Sequence, residues 1–155
     1  MVLLNIKESV AICLCLGQRV RIIVDVLCLD LEGVLVPEVW QAVAGATQVE
    51  GLLKTTRDIP VYEDLMNYRL KLLEEHDITL SDVQVQIAKL QPLPGAFEFL
   101  QWARLHFQVA IISDTFYEFA APLMAQLQQP FLLCHKLVVE QDRIVAVSYT
   151  HLRAH

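Results

Sequence analysis

The stretch IIVDVLCLDLEG, residues 22–33, decides the fold. Ile22 to Leu29 is a β-branched, nearly continuous apolar run, which reads as a buried strand. It stops abruptly at Asp30, Glu32 and Gly33, so the strand runs into a turn. Further on, Gln108 to Ile112 repeats the pattern and ends in Ser113-Asp114-Thr115, and Phe131 to Cys134 makes a third, shorter strand. Between the first two strands the chain reads as helices. Val39 to Ala46 is one. Tyr62 to His76, with Leu65, Tyr68, Leu72 and Leu73 at helical spacing, is another. Ser81 with Gln84 offers a capping box for a third, running to about Leu90. Lys54 to Pro60 reads as a loop. After the break at Gln91-Pro-Leu-Pro-Gly, a fourth helix puts Phe99, Leu100, Ala103 and Phe107 on one face. A helix from about Glu118 to Leu127 follows the second strand, with Pro122 expected near its first turn. Leu137 to Glu140 and Arg143 to Val147, around Gln141-Asp142, predict a hairpin. Strand, several helices, strand, helix, strand is the order of an α/β domain with a parallel sheet. The helices between the first two strands are too many for one crossover and predict an inserted cap.

The composition suits that architecture. The 155 residues are 55% apolar and only 19% charged, with a mean hydropathy of +0.43. Inner strands of a parallel sheet, covered on both faces, need such runs, and disorder is excluded for the bulk of the chain. The formal net charge of −6 argues against a nucleic-acid partner, which calls for a basic stripe. No stretch reads as a membrane span, since about 20 mostly apolar residues are needed. Cys13, Cys15, Cys28 and Cys134 lack zinc-like spacing. They read as reduced structural thiols of a cytoplasmic protein. Lys7, the apolar run Val10 to Leu16, and Arg19 and Arg21 lack a cleavage site, so residues 1–21 read as an extension rather than a targeting signal.

Ligands of open parallel sheets bind outside the carboxyl ends of the strands, which directs attention to Asp30-Leu31-Glu32-Gly33 and Ser113-Asp114-Thr115. Residues two apart on a strand face the same way, so Asp30 and Glu32 can address one reacting centre. Two carboxyl groups at one site permit split roles, a nucleophile and a proton donor. Gly33 permits a tight turn, and Ser113 can hydrogen-bond a phosphate oxygen. Acids are also common at strand ends simply because the chain meets water there, and D-x-E-G by itself leaves both readings open.

Four segments narrow the choice: CLDLEGVLVPEVW (28–40), TTRDIPVYEDLMNYRLKLLEEH (55–76), LPGAFEFLQWAR (93–104) and FQVAIISDTFYEFAAPLMAQL (107–127). Together, in this order and spacing, they resemble the haloacid dehalogenase superfamily, and within it the phosphoserine phosphatases that also act as homoserine phosphotransferases. The resemblance covers roughly residues 24–146. It implies a Rossmann-like parallel sheet of haloacid dehalogenase type with a helical cap after the first strand. The α/β core would be 22–37 with 91–146, and the cap 38–90. It further implies a Mg²⁺-dependent phosphomonoester hydrolase or phosphotransferase of amino-acid (serine) biosynthesis. Such an enzyme takes phosphoserine as substrate, forms an aspartyl-phosphate, and passes the phosphoryl group to water or homoserine. Asp30 would be the nucleophile, and its carboxylate with the Glu32 carbonyl would bind Mg²⁺. Glu32 would be the general acid and base, where the superfamily usually has aspartate. Ser113 and Asp114 would bind phosphate. Glu38, Tyr62 and Arg69 would recognise the amino-acid end, a carboxylate for the ammonium and a guanidinium for the carboxylate. A homodimer stays open.

The superfamily also uses a lysine and a later acidic Mg²⁺ segment, G-D-x-x-N-D, that this sequence lacks. Lys136 and Asp142 do not fit those roles. Residues 147–155 do not resemble the family; they read as an adapter-derived tail on a C-terminally truncated chain. Two other readings therefore stand beside the enzyme: an inactive fragment, and a receiver-like phosphoacceptor domain. The long interval between Leu31 and Phe107 counts against the second, because receivers use single-helix crossovers. Other candidates take structural readings: His76 and His106 at helix ends, His135 after a strand, and Trp40 and Trp102 as packing residues. Arg57, in the loop before the cap helix, reads equally as a substrate contact or as an exposed loop ion pair. His151 and His155 lie in the tail, where no metal site is expected.

Overall fold

The computed structural model describes the backbone of residues 4–15 and 18–150, with side chains from residue 25 onward. Five strands, β1 (Leu4–Cys15), β2 (Gln18–Leu29), β3 (Gln108–Phe116), β4 (Phe131–Glu140) and β5 (Arg143–Ser148), form one sheet in that order. Five helices accompany them: α1 (Val39–Thr47), α2 (Tyr62–Glu75), α3 (Leu80–Ile87), α4 (Ala96–His106) and α5 (Tyr117–Gln126), with a 3-10 turn at Glu50–Leu53. The α/β order with helices inserted after β2 is the expected one. The sheet, however, is mixed. Only β2–β3 and β3–β4 are parallel, joined through helices; β1–β2 and β4–β5 are antiparallel hairpins at its two edges.

The differences have local causes. β1 occupies the stretch set apart as an extension and pairs with β2 nearly throughout, from Leu4 opposite Cys28 to Cys15 opposite Gln18. The register shifts between Ile6 and Ser9, where Lys7 and Glu8 interrupt the apolar pattern, so alternation across β1 is broken. β4 continues past Cys134 to Glu140, and β5 reaches Ser148, inside the stretch read as a tail. Gln141 and Asp142, both at positive φ (48° and 66°), form the two-residue hairpin loop, as the sequence predicts.

The capping box of α3 sits two residues earlier than expected. Thr79 Oγ1 accepts from the Asp82 N–H, and Asp82 Oδ2 accepts from the Thr79 N–H. The Leu80 and Ser81 N–H groups donate instead to the carbonyl and the Oδ1 of Asp142 on the distant hairpin, at 2.8 and 3.1 Å. Gln84, freed from the box, donates from Nε2 to the Glu118 carbonyl at 2.8 Å. That carbonyl is available because Pro122, four residues on in α5, has no N–H to offer. Pro122 is therefore tolerated beyond the first turn. On α4, Leu100 and Ala103 are buried, but Phe99 is exposed and stacks on Trp102, which is exposed as well.

One apolar cluster joins sheet and inserted helices. Leu29, Leu31, Leu35 and Val36 share it with Trp40, Val43, Met66, Leu70, Leu73, Val83 and Ile87 of the inserted helices and with Leu100, Ile111, Phe116, Phe119 and Leu123. The sheet and the inserted helices thus share the turn that follows β2. Cys28 and Cys134 are buried free thiols, and burial pushes the Cys134 thiol up to about 12, leaving it inert. The side chains of Cys13 and Cys15, and His151 and His155, lie outside the described residues. No helix among the described residues is long and apolar enough to cross a membrane.

Candidate functional site at the ends of β2 and β3

The turn after β2 is built to present carboxyl groups. Leu31, Leu35 and Val36 are fully buried, and the Leu35 and Val36 N–H groups donate to the Leu31 carbonyl while Gly33 N–H donates to Val36 O. Gly33 has φ +72°, and a Cβ there would stand 3.2 Å from Glu38 Oε1, so both conformation and space favour glycine. The anchored apolar residues leave Asp30 and Glu32 in different surroundings. Asp30 is exposed, with Oδ1 accepting from the Leu31 N–H at 2.7 Å. Glu32 turns inward. Its Oε2 accepts from the N–H of Val39, the first residue of α1, at 2.9 Å, and Thr115 also hydrogen-bonds it. Burial raises the Glu32 carboxyl above its ordinary value; the nearby charges of Glu38 and Asp30 add to this, and the two hydrogen bonds oppose it.

β3 supplies the adjoining wall. Its alternation buries Ser113 and Thr115 and turns Asp114 out. Ser113 Oγ accepts a long hydrogen bond from Thr115 N–H, at 3.4 Å. The inserted helix α2 closes from above. The Tyr62 hydroxyl donates to the Asp114 carbonyl at 2.8 Å, and burial, with the Asp114 charge, holds its phenol well above the ordinary value, so it stays a donor.

Arg69, two turns further along α2, is buried with its guanidinium 4.6 Å over the Trp40 ring. Its Nη2 donates to the Lys54 carbonyl at 2.7 Å, whereas Nε is buried and, among the described residues, has no partner. Burial lowers the Arg69 pKa; Tyr62, Glu32 and Glu38 act against this. Lys54 is itself held by its ammonium over the Tyr68 ring, at 4.4 Å. Trp40 packs edge-on against Phe119 and so is a packing residue, as expected, while also bearing the guanidinium.

The predicted residues therefore converge from three elements. Asp30 and Glu32 influence each other across the turn, Glu32 meets β3 through Thr115, and Arg69 responds to Glu32, Glu38 and Tyr62. Glu38 is exposed, at the N-cap of α1 without a capping bond. Arg57 stays in its exposed loop, where its N–H donates to Thr55 Oγ1. Sequence reasoning gave no role to Thr115, to the Lys54 carbonyl or to the Val39 N–H; of these, only Thr115 had a signal, sharing a strand face with Ser113. Among the described residues no group of three His, Cys, Asp or Glu could hold a metal ion.

This geometry has relatives. Over 124 residues the chain is 56% identical to a phosphoserine phosphatase of Pseudomonas syringae pv. tomato, which covers 79% of this chain and 52% of that protein. Over 122 residues it is 57% identical to the phosphoserine phosphatase ThrH of Pseudomonas aeruginosa, covering 78% of this chain and 60% of that one. Over that shared stretch the chain is similar to phosphoserine phosphatases. Solved structures agree on the haloacid dehalogenase fold. One described as a phospho-aspartyl intermediate analogue of phosphoserine phosphatase superposes with a TM-score of 0.65 at 20% identity, covering 80% of this chain and 62% of that one. A substrate-bound phosphoserine phosphatase gives 0.65 at 20% identity, covering 80% and 61%. No family model matches the chain. The chain spans between half and two thirds of the length of these curated relatives.

Proposed function

We propose that the ends of β2 and β3 form the reacting centre of a phosphomonoester hydrolase or phosphotransferase that takes phosphoserine. The observation that carries this is the split environment of two carboxyl groups at one strand end. Asp30 is exposed, and Glu32 is drawn inward with its pKa raised by burial. Asp30 attacks phosphorus, the bond to the serine oxygen breaks, and the Glu32 proton goes to that leaving oxygen. Glu32, now a carboxylate, takes a proton from water or from the homoserine hydroxyl. The oxygen so activated attacks the aspartyl-phosphate and restores Asp30.

Ser113 holds a phosphate oxygen through its hydroxyl, and Asp114, whose side chain faces away, contributes through its backbone N–H. Glu38 meets the substrate ammonium. Tyr62 keeps α2 against β3. The buried, unpartnered Nε of Arg69 is a donor whose desolvation costs about 1–3 kcal/mol, and a substrate carboxylate oxygen would satisfy it. Arg69 thus recognises that group with Nε rather than with a free fork, since Nη2 is engaged by Lys54.

The donor set fits Mg²⁺ in kind. The Asp30 carboxylate and the Glu32 carbonyl are hard oxygens, and two protein ligands suit an ion that keeps waters and takes phosphate oxygens. When bound there, Mg²⁺ would screen the phosphate dianion from the Asp30 carboxylate.

The test compares phosphate release from phosphoserine, with Mg²⁺, by the 155-residue chain and by a chain extended with the stretch of the relatives that it does not span. The extended chain is expected to turn over. The 155 residues alone, lacking the implied lysine and further acidic ligands, are expected to show little or no activity. Comparable turnover by both would refute the assignment of the reacting groups.

A further inference from the structure

We propose that Trp40 is a positioning residue that sets specificity: its indole face fixes the plane of the Arg69 guanidinium and leaves the Nε–H for the substrate carboxylate. This rests on the reading above, in which Arg69 recognises that carboxylate.

A guanidinium is a flat plate on a long, flexible stem, so it has to be held in more than one direction before it can select a ligand. Arg69 is 8% exposed, and its contacts divide by direction. The Trp40 ring lies against its face, with the ring centroid 4.6 Å from Cζ. That is a cation–π contact, which is strongest on indole and away from water. In the plane of the plate, Nη2 donates to the Lys54 carbonyl at 2.7 Å, and Nη1 faces Met66 Sδ at 4.0 Å. Among the described residues, Nε alone of the three nitrogens has no partner. The bond to Lys54 fixes one point of the plate and leaves it free to turn about that point. The indole face removes this freedom.

The indole is held in its turn. Trp40 packs edge-on against Phe119 at 5.4 Å, and Phe119 edge-on against Phe116 at 5.3 Å. Phe116 is the last residue of β3, the strand that carries Ser113. Three packed rings thus join the strand of the phosphate side to the guanidinium of the carboxylate side, and close packing transmits position where a flexible stem would not. Trp40 also follows directly on Val39, whose N–H holds Glu32, so the first turn of α1 serves both ends of the substrate.

Two measurements test this. The first is the Arg69 Nε–H resonance of the 155-residue chain, assigned by its loss in Arg69→Met. The indole ring current should shift it upfield, and Trp40→Phe should reduce the shift. A signal at the ordinary arginine position overturns the proposal, and this outcome does not depend on catalysis. The second is steady-state kinetics in the extended chain. Trp40→Leu should raise KM for phosphoserine about tenfold, and Trp40→Phe, with its weaker aromatic face, about threefold. The kcat, and the KM of an aryl phosphate without a carboxylate, should barely move. Trp40→Phe reads the same split if Trp40→Leu does not fold. In an Arg69→Met background Trp40→Phe should add nothing, since two residues acting as one unit are not additive. An unchanged KM for phosphoserine, equal effects on both substrates, or full additivity with Arg69→Met would each refute the positioning role and leave the phosphoserine reading standing. No turnover of phosphoserine by the extended chain would refute that reading and the specificity role with it, whatever the resonance shows.

Discussion

The two sides of the site are fixed by different means. On the core side, Asp30, Glu32, Ser113 and Thr115 sit on or next to strands, and short side chains or a backbone N–H hold them. On the inserted side, Tyr62 and Arg69 reach in from one helix on long side chains, and carbonyls of distant segments, Asp114 and Lys54, hold them. A strand end places a group to a fraction of an ångström, which bond-making at phosphorus demands. A long side chain on a helix can be exchanged at lower cost, which suits recognition of the part of a substrate that does not react. Substitutions on the core side should therefore lower kcat, and those on the inserted side should raise KM.

The sharpest test of that division is Asp30→Asn in the extended chain. An amide cannot form the acyl-phosphate, so turnover of phosphoserine should vanish with the fold intact; any retained turnover would remove Asp30 from the reaction.

Glu32→Gln comes next, with kcat down by roughly 10²–10⁴-fold. The same variant has a signature in stability. The folded-state pKa of Glu32 is raised, so between the ordinary carboxylate value and the raised one the folded protein binds the extra proton. Stability falls as pH rises through that window. Glu32→Gln removes this dependence. Thermal melts should place it at or above the unaltered protein at neutral pH, with the gap closing as pH drops below the ordinary carboxylate range. A gap that widens on acidification would contradict the burial of Glu32.

On the other side, Arg69→Lys should raise KM for phosphoserine by about tenfold and barely alter it for an aryl phosphate without a carboxylate. Equal effects on both substrates would make Arg69 structural and blur the distinction between the two sides.

The smallest effect serves as a control. Asp142→Ala touches neither side of the site but strips α3 of one N-terminal acceptor, the Oδ1 that receives the Ser81 N–H, while the main-chain carbonyl that receives the Leu80 N–H stays. It should cost about 1 kcal/mol of stability in chemical denaturation and leave KM unchanged.

The core side was legible in the sequence because its physics is local. Apolar runs ending in Asp30-Leu31-Glu32-Gly33 and Ser113-Asp114-Thr115 state where strands stop, and alternation states which residues share a face. The inserted side was not. Nothing in the period of α2 distinguishes Tyr62 or Arg69 from other residues of that helix, and they entered only through the resemblance to known enzymes. The capping box shows the same limit at smaller scale. Thr79 with Asp82, and Ser81 with Gln84, both place an N-cap hydroxyl three residues ahead of an acidic or amide side chain. The choice between them is made by Asp142, far along the chain. The antiparallel edge at β1 was hidden by the register shift at Lys7 and Glu8, and the tolerance of Pro122 by an acceptor engaged from another helix.

The bond between the Asp142 turn and α3 also bears on the order of events during synthesis. The first two amides of α3 await a partner more than sixty residues later in the chain. As the polypeptide emerges from the ribosome, α1, α2 and α3 are all exposed before the loop that completes α3 exists. Thr79 and Asp82 supply a local cap for that interval, enough to start a helix but not to finish its first turn. Closure of a contact with so long an intervening loop comes late, so α3 gains this anchorage only when the β4–β5 hairpin forms.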